Sequence, residues 1–293
     1  MFHIQSNLKW NEETIIFGLF QKTSPFDGPI AELDQQLEGQ ITALVIDGDI
    51  SAKKKEISKI HTLGKIGSKR VYFAGLGKEK EYDFDTARES FAKLFKTLQN
   101  AKIQSFSIVL DTFTGENVHF NEAAHALAEV LPLATYKIQD YKQKSNEPER
   151  NINQVTIITS ADEAEIRSSL TVGNAFGEGT NAARTLVNMP GNILTATELA
   201  KYSVYVAQKY GFDYEVLEKE DMEKLGMGGL LAVNKGSEEP PKMIVLKYQG
   251  KEEWTDVIGL VGKGITFDTG GYSIKPKDGI VGMKSDMAAQ RQF

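Results

Sequence analysis

The apolar residues in the first half of the chain form short dense runs, separated by longer runs with helical spacing. The short runs are rich in β-branched and aromatic residues, and several are apolar at every position. Continuous apolar runs of this length are typical of strands that helices cover on both faces of a sheet. The pattern predicts strands at residues 14–21, 41–48, 70–77, 105–113 and 154–160.

The segments between these runs repeat apolar residues at intervals of three and four. Residues 85–101 and 121–136 both follow this spacing, which predicts amphipathic helices. Strands that alternate with helices favour a largely parallel sheet. We therefore predict an α/β domain over residues 1–159.

A long helical pattern at residues 160–188 predicts a helix that links this domain to a second α/β region at residues 189–293. In the second region we expect a helix at residues 196–211, with Thr195 or Thr197 as its cap. Later apolar runs predict two strands, at residues 242–249 and 255–262.

Three glycines interrupt the predicted linking helix. Each one costs a helix roughly 1 kcal/mol relative to alanine, so we expect them where the helix packs closely against a neighbour or becomes irregular. They are Gly173, Gly177 and Gly179.

Charge and composition limit the classes of function. The chain has 34 basic and 40 acidic residues, and neither half is basic, so we do not expect a nucleic-acid partner. It contains no cysteine, which excludes disulfides, thiolate nucleophiles and cysteine-ligated metal sites. The first twenty residues lack a signal-peptide pattern, and no run of about 18 apolar residues occurs, so we expect a soluble, cytoplasmic protein with no membrane partner.

The residues best suited to ligand binding or catalysis lie at 261–287, where glycines are interspersed with lysines and aspartates after a predicted strand. Such strand ends are where α/β sheets usually bind ligands. A phosphate-binding loop is disfavoured because the G-x-x-x-x-G-K-[ST] spacing fails. From the residues alone, two interpretations stay open: a solvated glycine-rich surface loop, or a metal site built from carboxylates and a lysine.

The stretch V-G-K-G-I-T-F-D-T-G-G-Y-S-I-K-P, followed by M-K-S-D-M, resembles the signature of the leucyl aminopeptidase (cytosol aminopeptidase) family of dinuclear metallopeptidases. The similarity extends to residues 183–195 and 218–241, and more loosely to residues 70–80. The resemblance implies an enzyme that removes amino-terminal residues, preferably leucine-like, from peptide substrates. It implies two divalent metal ions, Mn²⁺ or Zn²⁺, as cofactors that activate the attacking water.

The same resemblance implies roles for individual residues. Lys263, Asp268 and Asp286 correspond to metal ligands, with Asp268 bridging both ions. Lys275 corresponds to the catalytic lysine, and Met283 to a residue that lines the pocket for the first side chain of the substrate. A lysine can ligate only as a neutral amine, and two adjacent dications would lower its pKa far enough to permit this. Other charges nearby are expected to be structural or solvated: Lys277, Asp278 and Lys284.

The resemblance does not cover the family's whole site. The family pattern has a later N-T-D-A-E-G-R motif, with two more carboxylate ligands and an arginine, and these 293 residues lack it. The family reads G-G-A-A-A-V-L-G where this chain reads A-A-Q-R-Q-F, a change that deletion of one nucleotide can produce. We therefore hypothesise a frameshifted, truncated aminopeptidase. On that hypothesis we expect little or no activity, an unpaired strand edge at residues 255–262, an unstable second region and no family homohexamer.

Two non-catalytic alternatives also follow from the sequence. The first domain resembles macro-type α/β modules at the level of fold, which suggests a ligand-binding protein. The other alternative is a regulatory or structural subunit that associates with a full-length partner. The expected architecture is the same in each case: a macro-like α/β domain followed by the first part of an α/β metallopeptidase domain.

Overall fold

A computed structural model describes residues 1–21, 25–138 and 151–292, with side chains up to residue 288. Most of the A-A-Q-R-Q-F stretch therefore lies outside the described side chains. The chain forms two compact units, Met1–Asn181 and Ala182–Phe293, which we call the first and second units. The limits 1–159, 160–188 and 189–293 stay predictions from sequence.

The described part of the first unit is built on a six-stranded sheet with the order β1-β6-β5-β2-β4-β3. All neighbouring strands run parallel except β3, which is antiparallel to β4. The largely parallel sheet predicted from sequence is thus confirmed. The strands are Phe2–Gln5 (β1), Thr14–Phe20 (β2), Ile57–His61 (β3), Arg70–Gly77 (β4), Ser105–Val109 (β5) and Gln154–Ile158 (β6).

Helices cover both faces of this sheet. Both helices predicted between the strands form, as α3 and α4, and the predicted linking helix forms as α5. Short 3-10 helices lie at Glu79–Glu81 and Leu110–Phe113. The α-helices are Gly28–Gln36 (α1), Gln40–Asp47 (α2), Phe84–Asn100 (α3), Phe120–Thr135 (α4) and Glu163–Asn188 (α5).

The apolar core of the first unit lies on both sides of the sheet because successive strand residues point to opposite faces. Ile15 and Phe17 of β2 belong to a cluster with residues of α1 and α2. Ile16, between them, belongs to a second cluster with residues of α3 and α4. The continuous apolar run in β2 is therefore explained by burial on both faces.

Residues 41–48 form helix α2, so the predicted strand there is wrong. Gly39 and Gly48 flank the helix with φ angles of 81° and 87°, a left-handed conformation that favours glycine. Ile41 is buried, whereas Ile46 is 77% exposed, so one helical face is packed. A short apolar run does not distinguish a strand from a helix by its periodicity. Two strands with alternating polar residues, β1 and β3, were not predicted.

Two glycines of α5 allow close packing against α4. A Cβ atom at Gly173 would lie 2.3 Å from the His125 carbonyl oxygen, and one at Gly177 would lie 2.4 Å from that of Glu129. The predicted close packing is therefore confirmed at these two positions. It is wrong at Gly179, where a Cβ would meet nothing within 4 Å.

The second unit is smaller and less regular. Its two described strands pair antiparallel, and the Thr195 hydroxyl accepts a hydrogen bond from the Glu198 N–H, as expected for a cap. Among all described residues, no helix combines the length and apolar character that crossing a membrane requires. The elements are Ala196–Tyr210 (α6), Asp213–Leu217 (β7), Lys219–Lys224 (α7), Gly228–Asn234 (α8), Met243–Lys247 (β8), Lys277–Ile280 (α9) and a 3-10 helix at Val281–Gln292.

Residues 255–262 are irregular, so the second strand predicted after residue 240 is wrong. A strand needs a neighbour with which to exchange backbone hydrogen bonds, and no described strand pairs with this segment. Ile258, Leu260 and Val261 are consequently exposed, by 83%, 60% and 92%. The apolar pattern reflects a strand-like composition without the pairing that makes a strand.

Candidate metal and catalytic site

A sharp reversal of the chain forms the centre of the site. Gly270 and Gly271 have φ angles of 81° and 77°, a backbone conformation that residues other than glycine rarely adopt. The reversal is closed by the Lys275 N–H, which donates to the Thr269 carbonyl at 3.1 Å. Lys275 is thereby brought back beside Asp268, seven residues earlier in the sequence.

Four charged side chains converge at this reversal. Lys275 Nζ lies 2.9 Å from Asp268 Oδ2, and Lys263 Nζ lies 2.8 Å from Asp286 Oδ2. Lys263 Nζ is also 4.0 Å from Asp268 Oδ2, so the two ion pairs form one cluster. The structure thus brings together the three residues expected to ligate metal and the lysine expected to be catalytic.

Met283 joins the cluster through its sulfur atom. Its Sδ lies 3.2 Å from Lys275 Nζ, which donates a weak hydrogen bond to it. All five residues singled out from the sequence therefore lie in one connected group. The group combines two carboxylates, two ammonium groups and one thioether.

The ion pairs change the titration of two members. The Lys275 ammonium, and then the Gly270 N–H at 2.7 Å from Oδ1, lower the pKa of Asp268 to about 2. The Asp286 carboxylate, 2.8 Å from Lys263 Nζ, raises the pKa of the Lys263 ammonium. Both shifts favour the charged forms, because each charge is stabilised by an opposite charge beside it.

Asp286 offers an acceptor that the cluster does not fully use. Its Oδ2 atom is shielded from solvent and contacts Lys263 Nζ, but it lacks a hydrogen bond of good geometry among the described residues. A hard divalent cation prefers such carboxylate oxygens, and a neutral amine can add a nitrogen ligand. Asp268, Asp286 and Lys263 therefore fit as part of a metal site. No group of three His, Cys, Asp or Glu side chains suited to a metal occurs among the described residues.

The turn between α5 and α6 contacts residues that neighbour the site. Gly191 packs against the ring of Phe267, and a Cβ there would lie 3.0 Å from Phe267 Cδ2. Lys284 Nζ donates to the carbonyl oxygen of Asn188 at 3.1 Å. Sequence reasoning placed Lys284 among structural or solvated charges and did not relate the turn between the two helices to the site. The only local signal was the proline and glycine in N-M-P-G-N.

Comparison with known proteins identifies both parts of the chain. Residues 181–290 match the model of the cytosol aminopeptidase family, catalytic domain. Residues 16–145 match the model of the cytosol aminopeptidase family, N-terminal domain. The two matches belong to the same family and together span more than half of the chain.

Curated relatives agree with these matches. The chain is 58% identical over 275 residues to a probable cytosol aminopeptidase of Bacillus subtilis (strain 168). It is 56% identical over 276 residues to the probable cytosol aminopeptidase of Bacillus licheniformis. Each alignment covers 94% of this chain but 55% of the relative, so the chain spans about half the length of these relatives.

Solved structures share the fold. The bottromycin maturation enzyme BotP in complex with Mn is similar with a TM-score of 0.73 and 27% identity, covering 95% of this chain and 54% of BotP. A mutant of tomato leucine aminopeptidase is similar with a TM-score of 0.78 and 22% identity, covering 99% of this chain and 57% of that one. The second likeness concerns the fold alone. With an α/β fold and both family models matched, the chain belongs to the cytosol aminopeptidase family.

Proposed function

We propose that this chain carries part of the active site of a metal-dependent aminopeptidase, which removes amino-terminal residues from peptides. One observation carries the proposal: Lys263, Asp268, Lys275 and Asp286 form a single cluster linked by contacts of 4.0 Å or less. The absence of cysteine from the sequence favours a reducing cytoplasm as the location.

Three residues of this cluster are proposed as metal ligands. Asp268 and Asp286 would supply oxygen atoms and Lys263 a nitrogen atom, with Asp268 shared between two ions. Lys263 must lose its proton to ligate, and its present partner Asp286 opposes that loss. Mn²⁺ and Zn²⁺ are the candidate ions, and BotP, a structural neighbour, was solved with Mn. Bound divalent ions supply Lewis acidity at the scissile peptide bond.

Lys275 and Met283 are proposed to act on the substrate. The Lys275 ammonium would stabilise the negative charge that develops on the peptide carbonyl oxygen during attack by water. In the described chain this ammonium is held by Asp268 at 2.9 Å. Met283 offers an apolar, flexible thioether beside it, which suits an aliphatic side chain such as that of leucine.

We propose that the 293-residue chain alone has little activity. It contains no N-T-D-A-E-G-R motif, so two expected carboxylates and an arginine are not supplied by its own sequence. Two carboxylates can hold a divalent ion only weakly when other ligands are water. Because the chain spans only about half the length of its curated relatives, we also do not expect it to assemble the family homohexamer.

Metal binding and hydrolysis test these proposals separately. Binding of Mn²⁺ to the full 293-residue chain is followed by the electron paramagnetic resonance signal of free Mn²⁺. We expect Asp268→Asn to weaken binding by about tenfold or more, and Asp278→Asn, an exposed carboxylate in α9, to leave it unchanged. Equal affinities for the unaltered chain and Asp268→Asn would contradict the metal site and favour a non-catalytic ligand-binding protein.

Hydrolysis of leucine p-nitroanilide with added Mn²⁺ tests the second part. We expect a rate close to the uncatalysed one. A clear rate that Lys275→Met abolishes would contradict the proposed inactivity and support the aminopeptidase assignment. Sedimentation that reveals a discrete species of six chains would contradict the expected absence of the homohexamer.

A further inference from the structure

The segment that joins α5 to α6, residues 188–195, forms a compact turn next to the site. The Pro190 carbonyl accepts hydrogen bonds from the Ile193 and Leu194 N–H groups, both at 2.9 Å. The turn lies between two helices and is therefore fixed at both ends. We call it the 188–195 turn.

Lys284 connects the 3-10 helix that carries Asp286 to this turn. Asn188 is the last residue of α5, and the final carbonyl groups of a helix have no partner within the helix. The Lys284 ammonium supplies that partner at 3.1 Å, at the helix end where a positive charge is favourable. The two residues are 96 positions apart, so this bond joins distant parts of the second unit.

The position of Lys284 along the chain gives the bond its significance. Lys284 lies directly after Met283 and two residues before Asp286, in one 3-10 helix. Met283 points to Lys275, and Asp286 points to Lys263. A bond that fixes the residue between them therefore fixes the backbone from which both side chains project.

Two apolar contacts support the same arrangement. Met287, adjacent to Asp286, is 2% exposed and packs with Leu194 and Leu199. Earlier in the chain, Phe267 precedes Asp268 and lies against Gly191. The segments that carry Asp268 and Asp286 therefore both contact the 188–195 turn. Of these contacts, the one made by Lys284 is directional and depends on a single hydrogen bond.

We infer that Lys284 is a positioning residue of the metal site. Its ammonium, bonded to the Asn188 carbonyl, sets the place of the Asp286 carboxylate opposite Lys263 and Asp268. Lys284 itself ligates nothing and contacts no substrate. The inference rests on the proposed metal site for its consequence, but its geometric part stands on the bond to Asn188.

Removal of this ammonium has opposite expected effects under two explanations. If Lys284 acts only through its charge, Lys284→Met raises the affinity for a dication, because a nearby positive charge is lost. If Lys284 positions Asp286, the same variant lowers the affinity, and loss of a supporting contact typically costs about 10–100-fold. We expect Mn²⁺ affinity to fall about tenfold in Lys284→Met and to return to within about threefold of the original in Lys284→Arg.

Lys277→Met is the matched control, since it removes the same charge from an exposed position in α9. We expect Mn²⁺ affinity in this variant to be unchanged or slightly higher. Unchanged or raised affinity in Lys284→Met would overturn the inference. So would an equal loss in Lys284→Met and Lys284→Arg, because arginine retains the donor to the Asn188 carbonyl.

Hydrogen exchange without metal tests the geometric part, so that failure of the proposed metal site is recognised separately. We expect Lys284→Met to accelerate amide exchange at residues 282–288 at least threefold, with residues 213–217 of β7 unchanged. Lys284→Arg should restore protection. Absence of Mn²⁺ binding in the unaltered chain contradicts the proposed function, whereas unaltered exchange in Lys284→Met contradicts the positioning role.

Discussion

The two units differ in how they bury apolar residues. The first unit packs clusters on both faces of its sheet, and large aromatic side chains such as Phe17 and Phe91 are fully buried. The second unit has a paired β7–β8 sheet and a small buried cluster of Leu194, Leu199 and Met287. A two-stranded sheet is marginally stable by itself. The candidate chemistry therefore lies in the unit whose packing depends on a few contacts and ion pairs.

The greatest loss of stability is expected from substitutions in the core of the first unit. Phe91 is fully buried and stacks on Phe113 with ring centroids 4.9 Å apart. We expect Phe91→Ala to lower the free energy of unfolding of the first unit by about 3–5 kcal/mol, and Leu199→Ala in the second unit to cost about 2 kcal/mol. The two tryptophans, Trp10 and Trp254, lie in different units, so single-tryptophan variants report urea unfolding of each separately.

The control for this pair is Tyr205→Ala, which truncates a side chain that is 57% exposed. It should change stability by less than about 0.5 kcal/mol. One unfolding transition shared by both tryptophans, with equal losses for Phe91→Ala and Leu199→Ala, would contradict the contrast between the units.

Two glycine substitutions in α5 are expected to change stability by smaller amounts and in opposite directions. Gly173→Ala forces a methyl group against the His125 carbonyl, and we expect it to lower the free energy of unfolding by about 1–3 kcal/mol. Gly179→Ala enters open space and should stabilise the helix by about 0.5–1 kcal/mol. Thermal unfolding of the two variants should shift in opposite directions. Shifts of the same sign would mean that α5 does not pack on α4 as described.

In the second unit, the sharpest prediction concerns pH. The folded-state pKa of Asp268 is about 2, below its ordinary 3.8, so its ion pair with Lys275 stabilises the loop above about pH 4. That contribution is lost as the pH falls through about 2. Carbon-13 titration of the Asp268 carboxyl should therefore have its midpoint near 2 and move towards 3.8 in Lys275→Met. Lys277→Met should leave the midpoint unchanged, and a midpoint near 3.8 in the unaltered chain would exclude the pair.

The smallest change in stability is expected at the exposed apolar segment. Ile258 is 83% exposed, so Ile258→Lys should alter the free energy of unfolding by less than about 0.5 kcal/mol. The same variant should reduce binding of an apolar fluorescent dye, because it interrupts an exposed apolar run. Ile244→Lys, in a residue packed beside the second-unit cluster, should instead destabilise. A large loss from Ile258→Lys would mean that this segment is buried.

Much of the first unit was predictable because its pattern of apolar residues is strong. The β2 and β4 runs are buried on both faces, and α3 has a polar face opposite Phe91, Leu94 and Leu98. Residues 41–48 misled because a short apolar run fits both a strand and a helix, and the flanking glycines decided the outcome. The edge strands β1 and β3 carry polar residues, so their pattern is weak.

The clustering of the charged residues was predictable in a different way. Its charged residues lie in one glycine-rich stretch, so a family resemblance could group Lys263, Asp268 and Lys275 without a fold. Contacts between distant residues have no such local pattern. The bond from Lys284 to Asn188, across 96 residues, therefore emerges only from the structure.

The outer position of β1 has a consequence for the order in which the first unit can form. Phe2 lies beside Val155, and Gln5 beside Ile158, so the first strand of the chain pairs with the last strand of the sheet. Pairing between such distant segments carries a loop-closure cost and is slow compared with local contacts. During synthesis, β1 must wait unpaired until β6 leaves the ribosome. Completion of the sheet is therefore a late step, taken only after nearly the whole first unit has been made.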